Sequence, residues 1–254
     1  MRRARRRLAS LLLIGVMSGC GGTLREQIAS GTASYPSGKA AFDREDWTDA
    51  VADLKAYVEQ YPGTEQTDDA LYYLGQAYVK IKDYALASSQ FDRLVRDFPA
   101  TPYAPDALFW LARCDDLQSH SPALDQTETH RALDRYNQYL EQYPDHSLAP
   151  QARARVGALQ DKLAEKRFRN AKLYWKLKQY MAAGIYLRDV LSEYPRSRWA
   201  GEAALLLADV LERQGKRVEA VEALRQLLAS APDEDLRRRA ADRLHDLGGS
   251  EAAR

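Results

Sequence analysis

The stretch Asp69-Ala70-Leu71-Tyr72-Tyr73-Leu74-Gly75-Gln76-Ala77-Tyr78 reads as a helix, and the chain repeats it. Related starts follow at Asp106-Ala107-Leu108, Gln151-Ala152-Arg153 and Glu202-Ala203-Ala204, with Pro105 and Pro150 just ahead, as suits a first helical position. Stops recur as well. Tyr61-Pro62, Phe98-Pro99, Tyr143-Pro144 and Tyr194-Pro195 form a series, with Ala231-Pro232 as a fifth, and the proline spacings are 37, 45, 51 and 37. Proline cannot continue a helix, so each pair marks the end of a helical segment. Twelve residues before each proline stands an alanine: Ala50, Ala87, Ala132, Ala183 and Ala220. Eight before it stands a large residue: Leu54, Phe91, Tyr136, Leu187 and Leu224.

This combination resembles the second helix of a tetratricopeptide unit, whose period is about 34 residues. In that resemblance the quoted stretch is a first helix. Leu74, Gly75 and Tyr78 then take the family positions where a small residue lets paired helices approach and large ones fill the gap. The unit around Lys39 and Phe42 is the poorest match. The expected fold is all-α, a tetratricopeptide-repeat superhelix of about five helix pairs with one long central helix. Two insertions modify the pattern. Eight extra residues around Ser119-His120-Ser121-Pro122 read as a loop inside the third unit. In the fourth unit the first-helix alignment starts fourteen residues early, close to four turns at about 3.6 residues per turn. Pro150 to Lys178 is therefore expected to be one helix of roughly 43 Å.

Composition excludes a disordered or collagen-like chain: of 254 residues, 45% are hydrophobic and 29% charged. The formal charge of +1 hides an asymmetry, because Arg2, Arg3, Arg5, Arg6 and Arg7 all precede the first acid. Without residues 1–19, 32 basic residues face 36 acidic ones. A mildly acidic body argues against a nucleic-acid partner.

The arginine-rich start is followed by the apolar run Leu8 to Met17 and by Ser18-Gly19-Cys20. Ten apolar residues fall short of the roughly twenty that a bilayer needs, but they suit a secretory signal. The small residues before Cys20 resemble the lipobox of bacterial lipoproteins, with Met17 where leucine is usual. The resemblance implies cleavage before Cys20, acylation of Cys20, and, with Gly21 in place of an inner-membrane retention aspartate, a place on the periplasmic face of the outer membrane. Each buried CH₂ of an anchor contributes about 0.8 kcal/mol, so several chains hold firmly. No later run reaches about 18 apolar residues. The expected organisation is a signal peptide over 1–19 and a lipidated, flexible tether over 20–33. Repeats 1–3 then occupy 34–146, repeats 4–5 occupy 147–247, and 248–254 form a disordered tail.

No chemistry stands out. His120, His130, His146 and His245 are scattered and lack the spacing of a helical metal pair, so neither metal nor cofactor is expected. There is no Gly-rich phosphate loop and no nucleophile elbow. Asp68-Asp69 and Asp115-Asp116 read as helix-start or solvated acids, and Cys114 as a packed helical cysteine. The chain does not read as an enzyme.

A partner would instead meet the first helices, which line the inner side of such superhelices. Family packing points Tyr35, Lys39, Tyr72, Gln76, Lys80, Phe109 and Arg113 into that groove, with Tyr61 as a further candidate. On the long helix it points to Phe168, Lys172 and Trp175, with Lys176 beside them and Tyr186 on the next helix. Rings interleaved with cations suit an extended peptide and its carboxylate.

Residues Trp47 to about Ala229 resemble the BamD-type outer-membrane assembly lipoproteins. The features that carry this are the lipobox at Cys20, Trp47-Thr48-Asp49-Ala50, Tyr61-Pro62, Leu124-Asp125-Gln126, and Leu163-Ala164 running into Tyr174-Trp175. The resemblance implies a scaffold of the β-barrel assembly machinery. Its amino-terminal half would recognise the targeting signal of unfolded outer-membrane proteins. Its carboxy-terminal half would dock on a POTRA domain of the barrel insertase, and on other assembly lipoproteins. The chain departs from the family at Arg167, where an acid is usual, at Asn170, where an apolar residue is usual, and at Tyr186, where a base is usual. The rival reading is a general cell-envelope scaffold for peptidoglycan or division proteins. Its relatives commonly carry an amino-terminal coiled coil and no lipobox, and no heptad region precedes Trp47 here.

Overall fold

The computed structural model describes residues 34–230 and 233–248. The expected signal peptide, Cys20 and its tether up to residue 33, the Ala231-Pro232 stop and the tail from residue 249 lie outside the described residues. Within them there are eleven helices and no strand. The helices are α1 (Tyr35–Asp43), α2 (Trp47–Gln60), α3 (Thr67–Lys80), α4 (Tyr84–Asp97), α5 (Ala104–Gln118) and α6 (Thr127–Gln142). They continue as α7 (Ala149–Lys176), α8 (Tyr180–Glu193), α9 (Ala200–Arg213), α10 (Arg217–Ser230) and α11 (Glu234–Asp246). Each packs on its neighbours in the chain, so five pairs stack in order and α11 closes the end.

The aromatic-proline pairs set the joints between pairs. Tyr61, Phe98, Tyr143 and Tyr194 are the caps that end α2, α4, α6 and α8, with φ of −127°, −131°, −133° and −131°. A residue before proline is pushed out of the helical region, so each helix stops at its aromatic residue. Hydroxyls then tie the connectors: Thr67 Oγ1 donates to the Tyr61 carbonyl at 2.7 Å, and Thr101 Oγ1 donates to Asp68 at 2.8 Å. Tyr139 OH lies 2.8 Å from His146 Nδ1.

Within four of the pairs the turn has three residues, at 44–46, 81–83, 177–179 and 214–216. The third pair has the expected loop, 119–126, between α5 and α6. Those short turns need one left-handed residue, at Glu45 (φ 61°), Lys82 (φ 65°), Lys178 (φ 58°) and Gly215 (φ 76°). Only glycine adopts that conformation without strain. Gly215→Ala is therefore expected to lower the unfolding free energy by about 1 kcal/mol, read from urea denaturation.

All ten positions fixed by counting back from the prolines are fully buried: Ala50, Ala87, Ala132, Ala183 and Ala220, with Leu54, Phe91, Tyr136, Leu187 and Leu224. The long helix is a single element of 28 residues, about 42 Å. Its first part shares a core with α5 and α6 through Ala149, Ala152 and Leu159, and its second part shares one with α8 to α11 from Leu163 onward. A third core holds α1 to α4 and one face of α5. The boundary between the cores on either side of the long helix thus falls inside α7, which runs unbroken through both.

Among the described residues, no second helix follows α11 to complete a pair with it. Asp233 accepts from the Leu236 amide at 2.8 Å and starts it, Leu236 and Ala240 are buried, and Arg239 and Arg243 pair with Glu202, Asp209 and Glu212 of α9. Acids in its first turn and bases in its last suit the helix dipole.

Candidate functional site

The repeat places Tyr35, Tyr72, Phe109 and Phe168 at equivalent steps of successive first helices. Two of them show what that position does. The Tyr72 ring stacks on Tyr103, at the entry to α5, at 4.4 Å and 15°. Phe168 meets Trp199, at the entry to α9, at 5.2 Å and 32°. This position is the seam between one unit and the next. Tyr35 and Tyr72 keep an edge in solvent, but Phe109 is 2% exposed and Phe168 6% exposed. Phe109 packs against Tyr136 and Tyr139, in the core that α7 closes with Ala149 and Ala152. The expectation that Phe109 lines a groove and Phe168 a docking face is therefore corrected: both are core rings, and having no hydroxyl neither needs to keep an edge in water. Trp110 stays half-buried, three residues before Arg113 and four after Asp106 on the same stripe of α5.

Arg113 is also spent inside the fold. Its Nη1 lies 2.7 Å from Asp116, whose carboxylate also takes two bonds from Arg155 of α7, at 2.7 and 2.8 Å. Beside it, Asp115 pairs with Arg135 at 2.7 Å and Arg131 at 3.6 Å, both on α6. The acids expected on a solvated face are buried clamps. Cys114 is buried in the core that α5 shares with α1 to α4, and burial pushes its thiol up to about 12, so at neutral pH it is not a nucleophile.

What remains partly exposed is a set of rings and cations on α1 and α3, at the start of α2 and at the entry to α5. Lys39 Nζ sits 4.6 Å from the centre of Tyr73 and 2.6 Å from Asp43, and Lys80 Nζ sits 5.3 Å from the centre of Trp47. Tyr73 meets Tyr103 edge-on at 6.3 Å and Phe42 at 5.0 Å. Gln76, between Tyr72 and Lys80, is only 9% exposed, and its Nε2 has no partner among the described residues. Tyr61 lies against Tyr57 at 5.1 Å, at the joint. Three of the phenols are held neutral. Hydrogen bonding to Asp69, then burial, drives Tyr103 far above its ordinary value, burial and Asp69 do the same for Tyr35, and burial with Asp106 takes Tyr72 to about 12. Tyr73, Tyr103, Trp47 and Trp110 were missed by the sequence register. The doublets Tyr72-Tyr73 and Phe109-Trp110 were the available signal.

In the carboxy-terminal half, Lys172 and Lys176 share one exposed stripe of α7. Lys172 Nζ lies 5.8 Å from the Phe168 ring, and Trp175 packs on Tyr180 at 5.3 Å. Tyr186 is elsewhere, stacked on Tyr174 at 5.4 Å and 11°, two residues off that stripe. Among the described residues, no group of three His, Cys, Asp or Glu side chains is arranged to hold a metal, and no helix is long and apolar enough to cross a membrane.

A family profile described as outer membrane lipoprotein, YfiO, matches residues 29–227. The chain belongs to that family. The YfiO family is the one that the resemblance to BamD-type lipoproteins pointed to, and it places the chain at the outer membrane. No curated protein matches the chain. Solved structures similar to it include the P58(IPK) TPR domain, at 15% identity over 87% of this chain and 58% of that one, TM-score 0.43. A TPR repeats protein from Bacteroides fragilis is similar at 10% identity over 86% and 99%, TM-score 0.49. The TPR2AB domain of yeast Sti1 in complex with pHSP90 is similar at 12% identity over 89% and 85%, TM-score 0.45. The departure at Arg167 has a local reason in this YfiO chain: the guanidinium reaches Asp189 at 4.0 Å and Glu193 at 3.7 Å across the α7–α8 pair. Nothing in the structure explains Asn170.

Proposed function

We propose that the chain is a non-enzymatic, lipid-anchored scaffold on the periplasmic face of the outer membrane, holding unfolded barrel proteins for the barrel insertase. The observation that carries this reading is the pair of partly exposed cation–ring contacts, Lys39 over Tyr73 and Lys80 over Trp47, with half-buried Trp110 on α5. An extended peptide that ends in an aromatic residue would place its ring among the tyrosines and its carboxylate on a lysine. The helices hold these groups in place, so binding costs the scaffold little ordering entropy. Insertase docking belongs to the other half, where Lys172, Trp175 and Lys176 are exposed or half-buried on α7. The bland alternative, a general envelope scaffold, would use the same groups without preference for a terminal carboxylate.

Arg113 is unsuitable for a test, because reversing it would break the Asp116 clamp. Lys39→Glu/Lys80→Glu changes two surface cations instead. The double variant is expected to fold normally and to bind a synthetic peptide with a free aromatic terminus at least tenfold more weakly, by fluorescence anisotropy. Amidating the peptide should weaken the parent by a similar factor. Unchanged affinity in both comparisons refutes the groove.

A further inference from the structure

We propose a second membrane contact, in which the cleft between the turns of α7–α8 and α9–α10 seats the headgroups of anionic phospholipids. The cleft has a volume of about 650 Å³ and is lined by Lys178, Tyr180, Met181, Arg213, Gln214 and Lys216, among others, with no acid in its wall. The side chains of Lys178 and Arg213 are exposed and have no ion-pair or hydrogen-bond partner among the described residues. Lys216 shares Glu219, at 3.2 Å, with Arg188 at 3.8 Å. A guanidinium and an ammonium without counter-charges, facing one hollow, suit a phosphodiester.

The rim is the second observation. Large apolar side chains stand in water here: Met181 is 67% exposed in the wall, Ile185 58% one turn further along α8, and Val218 84% two residues past Lys216. Leu177, next to Lys178, is 56% exposed. Cations around a hollow with bare Leu, Met, Ile and Val beside them match a lipid interface, where phosphates meet the bases and acyl carbons meet the apolar rim. An acidic protein surface would match the cations but leave the rim wet. The inference rests on the outer-membrane association of the family and not on the peptide groove or insertase reading.

The test uses the full chain with Val218→Cys carrying an environment-sensitive fluorophore, and the parent chain treated alike as the labelling control. Vesicles of phosphatidylcholine alone are compared with vesicles containing phosphatidylglycerol. A blue shift, quenched by lipids brominated on their acyl chains, is expected only with phosphatidylglycerol. In the labelled chain, Lys178→Glu/Arg213→Glu should reduce that partitioning at least twentyfold, from about fivefold per cation near an anionic surface. Peptide binding in the amino-terminal half should be unchanged in the same variant, which separates the two readings. Equal signals on both vesicle types, or none on either, overturn the proposal. Loss of the signal in millimolar inorganic phosphate at constant ionic strength assigns the cleft to small anions instead. A label silent on vesicles but responsive to the insertase's periplasmic domain assigns it to a protein. Each of these outcomes also overturns the proposal.

Discussion

Asp116→Ala is expected to lower the unfolding free energy by about 3 kcal/mol, a large share of the margin by which a folded chain is stable. The Asp116 side chain is 2% exposed and receives Arg113, both donors of Arg155, and at 3.4 Å the hydroxyl of buried Tyr136. Removing the acid leaves two guanidinium groups facing each other across a cavity. Breaking a buried pair from one side costs about 3–5 kcal/mol, and the lower end applies because the Arg113 and Arg155 side chains are 29% and 36% exposed. Arg155→Ala should cost less, since Arg113 still satisfies the carboxylate. The clamp matters for more than stability. Asp116 belongs to α5 and Arg155 to the first part of α7, so the contact fixes the third unit to the helix that carries the last two.

The same acid fixes the sign of a pH effect. Burial alone would raise the Asp116 carboxyl, but hydrogen bonds and charge from Arg155 and Arg113 outweigh it and hold it below the ordinary carboxylate range. A carboxyl with a folded pKa below its unfolded value stabilises the fold above the unfolded value, about 4, and loses that contribution as pH falls through the folded one. Asp115 has the opposite sign. Burial, only partly countered by Arg135 and Arg131, raises it, so its ionisation costs the fold stability as pH rises from the unfolded value, about 4, through the higher folded one. Asp116→Asn should therefore flatten the loss of stability as pH falls below about 4, seen as urea midpoints that move less than those of the parent. An unaltered acid limb would place the titration elsewhere.

The repeat was legible because its signals are local and steric. A proline stops a helix wherever it stands, and counting back from it gives the face of α2, α4, α6, α8 and α10 that must be buried. That is why the ten alanines and large residues fall in the core without exception. The long helix was legible for a related reason: the two alignments of the fourth unit disagreed by nearly whole turns, so one helix could satisfy both. Side-chain destinations were less legible. One register assigned Tyr35, Tyr72 and Phe109 to the groove and Phe168 to the docking face, but the next unit decides how far each ring is covered, and periodicity within one helix holds no information about that. Arg113 and Asp116 failed for a similar reason. Asp116 takes Arg113 from its own helix and Arg155 from a different one, so charges that look solvated in sequence are neutralised inside the fold. The cap α11 escaped notice because only Leu236, Ala240 and Leu247 mark its buried side, too few to show a period.

Gly75→Val is expected to cost about 3 kcal/mol, and the reason is the close approach of α3 to α4. A Cβ at Gly75 would lie 2.7 Å from both Cε1 and Cζ of Phe91 and 3.0 Å from its Cδ1. Phe91 has nowhere to retreat: it is 0% exposed, and Tyr72 meets it edge-on at 6.3 Å. Overpacking of this kind costs about 1–3 kcal/mol, and a branched side chain sits at the upper end. Phe91→Ala alone should cost about 3–5 kcal/mol through the cavity it leaves. If the two residues oppose each other as described, the double variant loses less than the sum, with a coupling of about 1 kcal/mol or more in a double-mutant cycle. Strict additivity would mean that α3 and α4 do not approach as closely as the fold requires. Gly157 is the internal control. It lies on the exposed face of α7, and a Cβ there would meet nothing within 4 Å. Gly157→Ala should thus stabilise by about 1 kcal/mol through helix propensity alone. Opposite outcomes for two helical glycines separate the one that makes room for a partner helix from the one that merely loosens its own.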